Sequence, residues 1–453
     1  MSNVVGSEAL GSTWAIAWYA LAVLVNALPV TRWAWRTWKE RIQATGPSPN
    51  EVVPRDSRRL TPEVFVAGVA CAVFAGLAVS AMLGSVPILP VPVRRGIDAV
   101  LNPASLLVAS IVLTIVVARW RVIVARRWVG LAVANGAAVF VLLSLPDRHF
   151  FHLVSQPDNI AIVLLLGTVG FFVWLGLHLG CENDDRIAAG KPPVEAEPEE
   201  QQRFLVWPDL VYIELIAMVL TTAALLIWSG AVAAPLEAPA DPLVTPNPAK
   251  APWYFLGLQE LLVYFDPWLA GAVYPILIIV GLCAVPYLDR NPLGNGYYTC
   301  RERPLALWLF YFGFLNLWVL LIVIGTFFRG PNWGFYGLYE GWETAKTAVH
   351  GTRTLSETVW GLFGLHGAGT LDAWPVFLRE LPGLVTAVMY VGVLPVWIAC
   401  GPGKRLVREM GRMRYIVFVG LSLAMFLIPL KMLCRFTLGI SYFLSFPEAG
   451  IHV

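Results

Sequence analysis

Charged residues are scarce in this sequence. Asp, Glu, Lys and Arg make up 14% of the 453 residues, whereas hydrophobic residues make up 57%. A soluble protein of this length would expose far more charge, so the composition excludes an ordinary soluble fold and predicts an all-α, polytopic membrane protein. The net charge of +2 gives no reason to expect nucleic-acid binding.

Patterns that bind metal or haem are missing as well. The six cysteines form no C-x-x-C pair, which argues against a zinc site and against covalently attached haem of the ordinary type. We therefore expect no metal site. Of the six histidines, only His178 falls inside a predicted span. His149 and His152 could share one helical face as metal ligands, although two histidines without a further ligand are more often ordinary interface residues.

Long apolar stretches dominate what is present. About ten of them could cross roughly 30 Å of hydrocarbon as helices. They lie at residues 12–31, 64–84, 103–118, 128–145, 159–180, 209–233, 269–288, 305–327, 382–400 and 415–433. With the connections alternating between two sides, one side receives 22 of the 32 Lys and Arg residues and the other receives 10, counting Lys431 with the C-terminal tail. The positive-inside rule then predicts a multi-pass protein of the inner (cytoplasmic) membrane with both termini on the outer, periplasmic face.

The connection at residues 181–206 divides the chain into two five-span parts. It is rich in Glu, Pro and Gln, a composition typical of a flexible, solvated cytoplasmic linker. We therefore predict an N-terminal membrane domain at 1–180 and a C-terminal membrane domain at 207–453. The second domain has outer loops at 234–268 and 328–381, and the latter contains a candidate amphipathic helix at 338–348.

The stretch at residues 245–262, TPNPAKAPWYFLGLQELL, joins a proline-rich start to an aromatic cluster. Pro246, Pro248 and Pro252 fix φ and lack backbone donors, so a regular helix cannot run through them. The aromatic residues that follow suit a short helix at a membrane interface. From physical chemistry alone, an interfacial anchor is the simplest interpretation of this stretch.

Four short motifs follow one another through the second half of the chain. They are Trp207-Pro208-Asp209-Leu210 at the start of the sixth span, Asn247-Pro248-Ala249-Lys250 with Ala251-Pro252-Trp253-Tyr254 in the loop, Pro286-Tyr287-Leu288-Asp289 at the end of the next span, and Arg329-Gly330-Pro331 after the eighth. In this order and spacing, residues 207–433 resemble the C-terminal half of cytochrome b, or subunit IV of the chloroplast-type complexes.

The resemblance implies a subunit of a quinol:cytochrome c-type oxidoreductase, the cytochrome bc-type complex of electron transport. In that family a quinol near the Trp-Tyr loop gives one electron to a Rieske iron–sulfur protein and one to a b haem, and its protons are released outward. Carried onto this sequence, the outer quinol site comprises Pro252, Trp253, Tyr254, Phe255, Leu258 and Glu260, with Tyr254 and Glu260 as catalytic candidates.

This chain departs from the family at the motif's glutamate, whose position is occupied by Pro252. The nearest carboxylate is Glu260, eight residues further on. In a mostly apolar pocket it could exchange a proton with a bound quinol. Alternatively, it could extend to the membrane interface beside Gln259. Tyr254 and Tyr264 could donate hydrogen bonds to a quinone carbonyl, although an interfacial role suits Tyr264 better.

A second quinone site on the cytoplasmic face is also implied, with Asp209 at the matching position. Helix capping would account for Asp209 equally well. Glu214, five residues further along the same span, is a functional candidate because an isolated carboxylate in lipid is costly.

The histidines cannot supply the two-helix, four-His set that a pair of transmembrane b haems needs. We therefore expect quinol or quinone as the ligand, and b haems on a separate cytochrome b subunit. A Rieske protein and a c-type cytochrome complete the expected multisubunit complex, with dimerisation left open. Two alternatives remain: a scaffold subunit with an inactive site, or a ten-span ion-translocating or transport protein.

Overall fold

The computed structural model describes residues 2–44, 61–196, 205–232, 239, 241–243, 245–288, 297–342, 346, 353–365, 374–446 and 450–453. Within these residues the chain is almost entirely helical. This confirms the predicted all-α, polytopic class.

The described residues of the N-terminal part form eight α-helices. They are α1 (Ser2–Ala44), α2 (Pro62–Met82), α3 (Val91–Val100), α4 (Pro103–Arg119), α5 (Arg121–Val124), α6 (Arg127–Ser144), α7 (Arg148–Ser155) and α8 (Pro157–Ala188). Helix α8 runs eight residues past the predicted end of its span, so the first part of the predicted linker is helical. Residues 197–204 of that linker lie outside the described residues.

The C-terminal part begins with a π-helical turn, Val206–Leu210, that leads into α9 (Val211–Ala231). The other helices are α10 (Trp253–Leu261), α11 (Tyr274–Leu288), α12 (Pro304–Leu309), α13 (Leu320–Val323), α14 (Leu355–Leu362), α15 (Val376–Arg379), α16 (Leu381–Val388), α17 (Leu394–Cys400), α18 (Lys404–Met410) and α19 (Arg412–Leu438). Further π-helical segments complete three continuous spans. Leu269–Val273 leads into α11, and Met389–Val393 joins α16 to α17. Phe310–Val319 and Ile324–Phe328 form one span together with α12 and α13.

The described residues include two small strand pairs, and three of the four strands lie near the end of the chain. Strand β1 (Arg353–Thr354) pairs with β2 (Ile440–Tyr442), and β3 (Ser445–Phe446) pairs with β4 (Ile451–His452). The predicted amphipathic helix at 338–348 is wrong for its described first part, since residues 338–342 form turns and irregular chain.

The predicted spans agree closely with the described helices. Among the described residues, nine helices are long and apolar enough to cross a membrane, and a tenth span is possible if α3 and α4, bent by 82° at their junction, form one span. Pro103 at the start of α4 and the Asn102–Ser105 capping box explain why the chain breaks there and restarts as a new helix.

The largest buried core crosses the predicted division between the two parts. Leu107 of α4 lies in one apolar cluster with Leu261, Phe265 and Met432 from the C-terminal part. Beside it, the Thr114 hydroxyl donates a hydrogen bond of 2.7 Å to the Asn316 side chain. The N-terminal helices therefore pack directly against the frame that holds the 245–262 loop.

Helix α9 behaves differently from the other spans. Within the described residues, the most apolar stretch of Val206–Ala231 buries none of its side chains, although its mean hydropathy of 2.3 matches that of the best-packed spans. Its surface is thus free to contact lipid or another subunit.

Candidate functional site

The proline-rich stretch ends in a short helix, as predicted. Pro252 has an extended conformation (φ −51°, ψ 147°) and directly precedes α10, which runs from Trp253 to Leu261. Because its ring fixes φ and it has no N–H to leave unpaired, proline is well suited to this position. The aromatic residues therefore occupy the first turn of a nine-residue helix.

Gln259 fastens the extended segment to this helix. Its side-chain oxygen accepts a hydrogen bond of 2.8 Å from the Ala251 N–H, and its amide nitrogen donates one of 2.9 Å to the Ala249 carbonyl. These two bonds satisfy backbone groups that the prolines prevent from forming secondary structure. The loop and α10 thus behave as one unit.

Two further contacts attach the loop to the end of the eighth span. The side chain of Asn247 forms reciprocal hydrogen bonds with Asn332, at 2.8 Å through its amide nitrogen and 2.7 Å through its oxygen. The Lys250 amine donates a bond of 2.7 Å to the Thr326 carbonyl. Asn332 and Trp333 both have positive φ, of 58° and 55°, which turns the chain back toward the loop.

A buried ion pair lies at the centre of this arrangement. Glu260 is 0% exposed, and its carboxylate accepts two hydrogen bonds from the Arg329 guanidinium, at 2.9 and 2.7 Å. The Tyr264 hydroxyl donates at 2.8 Å and the Trp333 indole at 3.1 Å. Four donors from three side chains therefore saturate both carboxylate oxygens.

Both sequence-based expectations for the surroundings of Glu260 are wrong. The carboxylate does not lie in a mostly apolar pocket, because it faces a guanidinium, a phenol and an indole. Nor does it extend to the surface of the chain, because it is fully buried. Burial also raises the pKa of Tyr264 well above its usual value of 10, so this phenol stays protonated and keeps donating to Glu260.

Close packing holds α10 against the eighth span. A Cβ placed on Gly325 would lie 3.0 Å from Leu256 Cγ and 3.3 Å from the Leu256 carbonyl oxygen. A Cβ on Gly257 would lie 3.2 Å from Ile322 Cγ1. Only glycine at both positions lets the two backbones approach this closely.

The predicted quinol-site residues face in different directions. Tyr254 and Phe255 are 49% and 53% exposed, with their rings 4.8 Å apart. Trp253 is half-buried and packs on the cluster that contains Phe327, while Leu258 packs on the main core. The aromatic surface open to a ligand or partner is therefore formed by Tyr254 and Phe255, beside the exposed Pro252.

Several residues of the site were missed by sequence reasoning. Arg329 belongs to the recognised Arg329-Gly330-Pro331 motif, and Asn332 and Trp333 follow it directly. Nothing in the sequence pairs Arg329 with an acid 69 positions earlier. Gln259 was noted only as a polar neighbour of Glu260. A signal did exist, since a lone arginine at the end of an apolar span needs an acidic partner.

The predicted inner-site residue Asp209 is partly exposed. Its carboxylate accepts a hydrogen bond of 3.1 Å from the Leu205 N–H, four residues before it, rather than from the helix that follows. Glu214 is exposed on α9 and is not buried by any described part of this chain. The structure thus places both acids on one span whose surface has no partner within the described residues.

The described histidines have local partners. His178 Nδ1 lies 2.8 Å from the Ala125 carbonyl, and the imidazole stacks on Trp174. His152 lies 3.3 Å from the Gln156 amide, whereas the ring of His149 packs edge-on against Trp342. No cluster of three potential metal ligands occurs among the described residues. His350 and His366 lie outside them.

Comparison with known families supports the resemblance over the segment that contains the ion pair. Residues 239–339 match the family described as Cytochrome b(C-terminal)/b6/petD. The match covers less than a quarter of the chain and includes α10, Glu260, Arg329 and Trp333. No solved structure matches the chain. The predicted resemblance is confirmed for this segment: residues 239–339 are similar to the cytochrome b C-terminal family and lie within a longer, multi-pass membrane chain.

Proposed function

We propose that this chain is a subunit of a cytochrome bc-type complex and that it forms one wall of an outer quinol-oxidation site. The observation that carries the proposal is the exposed Tyr254–Phe255 surface on a helix fixed by the Glu260–Arg329 pair, inside the matched segment. A flat aromatic surface of this kind suits a quinol ring, and the Tyr254 hydroxyl can hydrogen-bond to a quinol or quinone oxygen.

In this proposal the site residues have separate tasks. Tyr254 and Phe255 contact the quinol, Pro252 sets their position at the start of α10, and Trp253 and Leu258 anchor the helix in the core. Glu260 is a positioning residue, because its carboxylate is engaged by Arg329, Tyr264 and Trp333. The earlier hypothesis, that Glu260 itself takes a proton from quinol, requires this network to open during turnover.

The partners in this proposal are a haem-bearing cytochrome b subunit, a Rieske protein and a c-type cytochrome in the inner membrane. Helix α9 supports a partner subunit, because its apolar surface and Glu214 are uncovered within the described residues. A carboxylate at that depth would be stabilised by a polar or basic group on a partner helix. Asp209, at the start of the same span, is the candidate for an inner quinone contact.

We expect Tyr254→Ala to lower quinol oxidation by the native complex about tenfold, which corresponds to roughly 1.4 kcal/mol of lost transition-state binding. Because Tyr254 is half exposed, the amount of assembled complex should not change. Trp253→Ala should differ by reducing assembly as well, since Trp253 packs on a buried cluster. Quinol turnover and complex yield, measured together, test both expectations.

Phe172→Ala is the matched control, because Phe172 is an aromatic residue 64% exposed on α8. This variant should change neither quinol turnover nor complex yield. Unchanged turnover in Tyr254→Ala would remove this surface from the quinol site.

A scaffold subunit without an active site is the second candidate. The Glu260–Arg329 ion pair favours this scaffold function, because a fully engaged Glu260 leaves no free carboxylate on α10. The two functions differ in one respect: a scaffold would tolerate Tyr254→Ala in every assay except assembly with a partner that covers this surface.

A further inference from the structure

Two cysteines from distant parts of the chain meet where α8 contacts the segment preceding α12. Cys181 is 9% exposed and Cys300 is 2% exposed, and both are free thiols. Both side chains lie in one buried cluster with Ala125 and Leu177. The two segments are also close, because a Cβ placed on Gly180 would lie 2.9 Å from Cys300 Sγ and 3.7 Å from the Cys300 backbone nitrogen.

The surrounding hydrogen bonds hold this pair in place. Asp184 Oδ1 accepts from the Cys300 and Arg301 N–H groups at 3.2 and 3.1 Å. The Asn183 amide donates to the Tyr298 carbonyl at 3.0 Å. Asn183 and Asp184 are themselves buried, at 0% and 6% exposed. The segment that carries Cys300 is thus fixed to the helix that carries Cys181.

A cavity of about 150 Å³ is lined by Cys300 but not by Cys181. Its walls are mostly apolar and come from α4, α8 and the start of the eighth span. The residues with reactive or polar side chains that line it are Cys300, Arg121, Tyr311, Trp308 and Thr114. Drug-sized pockets are larger, about 300–1,000 Å³, so this cavity suits one small ring with any tail left outside.

We propose that Cys181 and Cys300 form a redox-active dithiol that reduces a quinone ring held in this cavity. Quinones suit the cavity because they are flat, dissolve in the membrane and carry carbonyl oxygens that Tyr311 and Arg121 can bind. They are also two-electron, two-proton oxidants, and a dithiol supplies that number of both. The site is separate from the 245–262 loop, so this proposal does not depend on the outer site.

The reaction balances in two steps. The Cys300 sulfur adds to the quinone ring, forming an S–C bond while its proton passes to a ring oxygen. The Cys181 thiolate then attacks the Cys300 sulfur, forming the S–S bond and breaking the S–C bond. The electron pair leaves with the ring, which takes up the Cys181 proton to give quinol. Arg121 stabilises the negative charge that develops on sulfur and oxygen.

The bond formed would be a catalytic or regulatory disulfide rather than a structural one. Stable disulfides are rare in reducing compartments, where those that form are usually transient. The bond would also link α8 to the segment before α12, and thereby the N-terminal and C-terminal parts. The disulfide would therefore link the N-terminal and C-terminal parts covalently only while quinone is in excess.

The test uses the native membrane complex after reduction and removal of reductant. A short-chain benzoquinone analogue is added, free thiols are alkylated, and the Cys181 and Cys300 peptides are analysed by mass spectrometry while quinol is measured optically. We expect one quinol and one Cys181–Cys300 disulfide per chain. Cys181→Ser should instead accumulate the quinone adduct on Cys300. Cys283→Ser, which alters an exposed thiol, should behave as wild type.

Tyr311→Phe separates quinone binding from thiol reactivity. It should slow disulfide formation by quinone at least tenfold but leave oxidation by the small oxidant diamide unchanged. Thiols that stay reduced with excess quinone in the wild type would overturn the proposal. A stable adduct in the wild type, or equal slowing with both oxidants in Tyr311→Phe, would do the same. Tyr254→Ala should leave this reaction intact, which distinguishes it from failure of the outer site.

Discussion

Glu260→Gln is expected to destabilise the protein by about 3–5 kcal/mol and to lower quinol oxidation at least tenfold. Glutamine removes the charge that compensates Arg329, a guanidinium only 3% exposed, and an unpaired buried charge is costly by about that amount. Thermal unfolding of the purified complex measures the first effect, and quinol turnover of the assembled fraction measures the second.

A double variant distinguishes a positioning role from a proton-accepting one. Combining Glu260→Gln with Arg329→Met removes both charges, while the new amide oxygen can still accept from either Tyr264 or Trp333. Replacing both members of a buried pair is often nearly neutral for stability. If Glu260 only positions α10, quinol oxidation should recover with stability. A well-folded double variant that stays inactive would assign the proton to Glu260.

Gly325→Ala should have the second-largest effect, although it adds only one methyl group. The new Cβ would lie 3.0 Å from Leu256 Cγ and 3.3 Å from the Leu256 carbonyl oxygen, so α10 must move. Overpacking of this kind costs about 1–3 kcal/mol, and a displacement of about 1 Å can lower turnover by as much as 100-fold. Unfolding temperature and quinol turnover are the measurements.

Gly271→Ala provides the matched control. Gly271 begins the span after the loop, and a Cβ there would meet no atom within 4 Å. Since alanine is the better helix former by about 1 kcal/mol, this variant should be as stable as wild type or slightly more so. If the two variants had equal unfolding temperatures and equal quinol turnover, the close contact between α10 and the eighth span would be unimportant for both stability and activity.

The sequence predicts the spans well because hydropathy over about 20 residues reports directly on burial in lipid. It also places α10, since Pro252 is followed at once by helix-compatible apolar residues. The sequence does not reveal which residues far apart in the chain contact each other. The partners of Glu260 depend on how the turn at Asn332 and Trp333 brings Arg329 back over α10.

The same limit applies to burial. Tyr254 and Trp253 are equivalent in the sequence as neighbouring aromatics, yet one is exposed and the other packs on a buried cluster. Glu214 was a functional candidate as an acid within a membrane span, but none of the most apolar stretch of that span is buried among the described residues. Likewise, Cys181 and Cys300 meet only because Asp184 binds the backbone of a segment more than 100 residues away.

The most direct test of the outer quinol site is a rapid-mixing experiment on the natively purified complex. Quinol is added with the high-potential acceptor oxidised, and the b-haem absorption band is followed on a millisecond scale in wild type and Tyr254→Ala. The proposed function predicts rapid haem reduction in wild type and a strongly slowed phase in the variant. A complex without b haem, or haem reduction that is the same in both proteins, would contradict it.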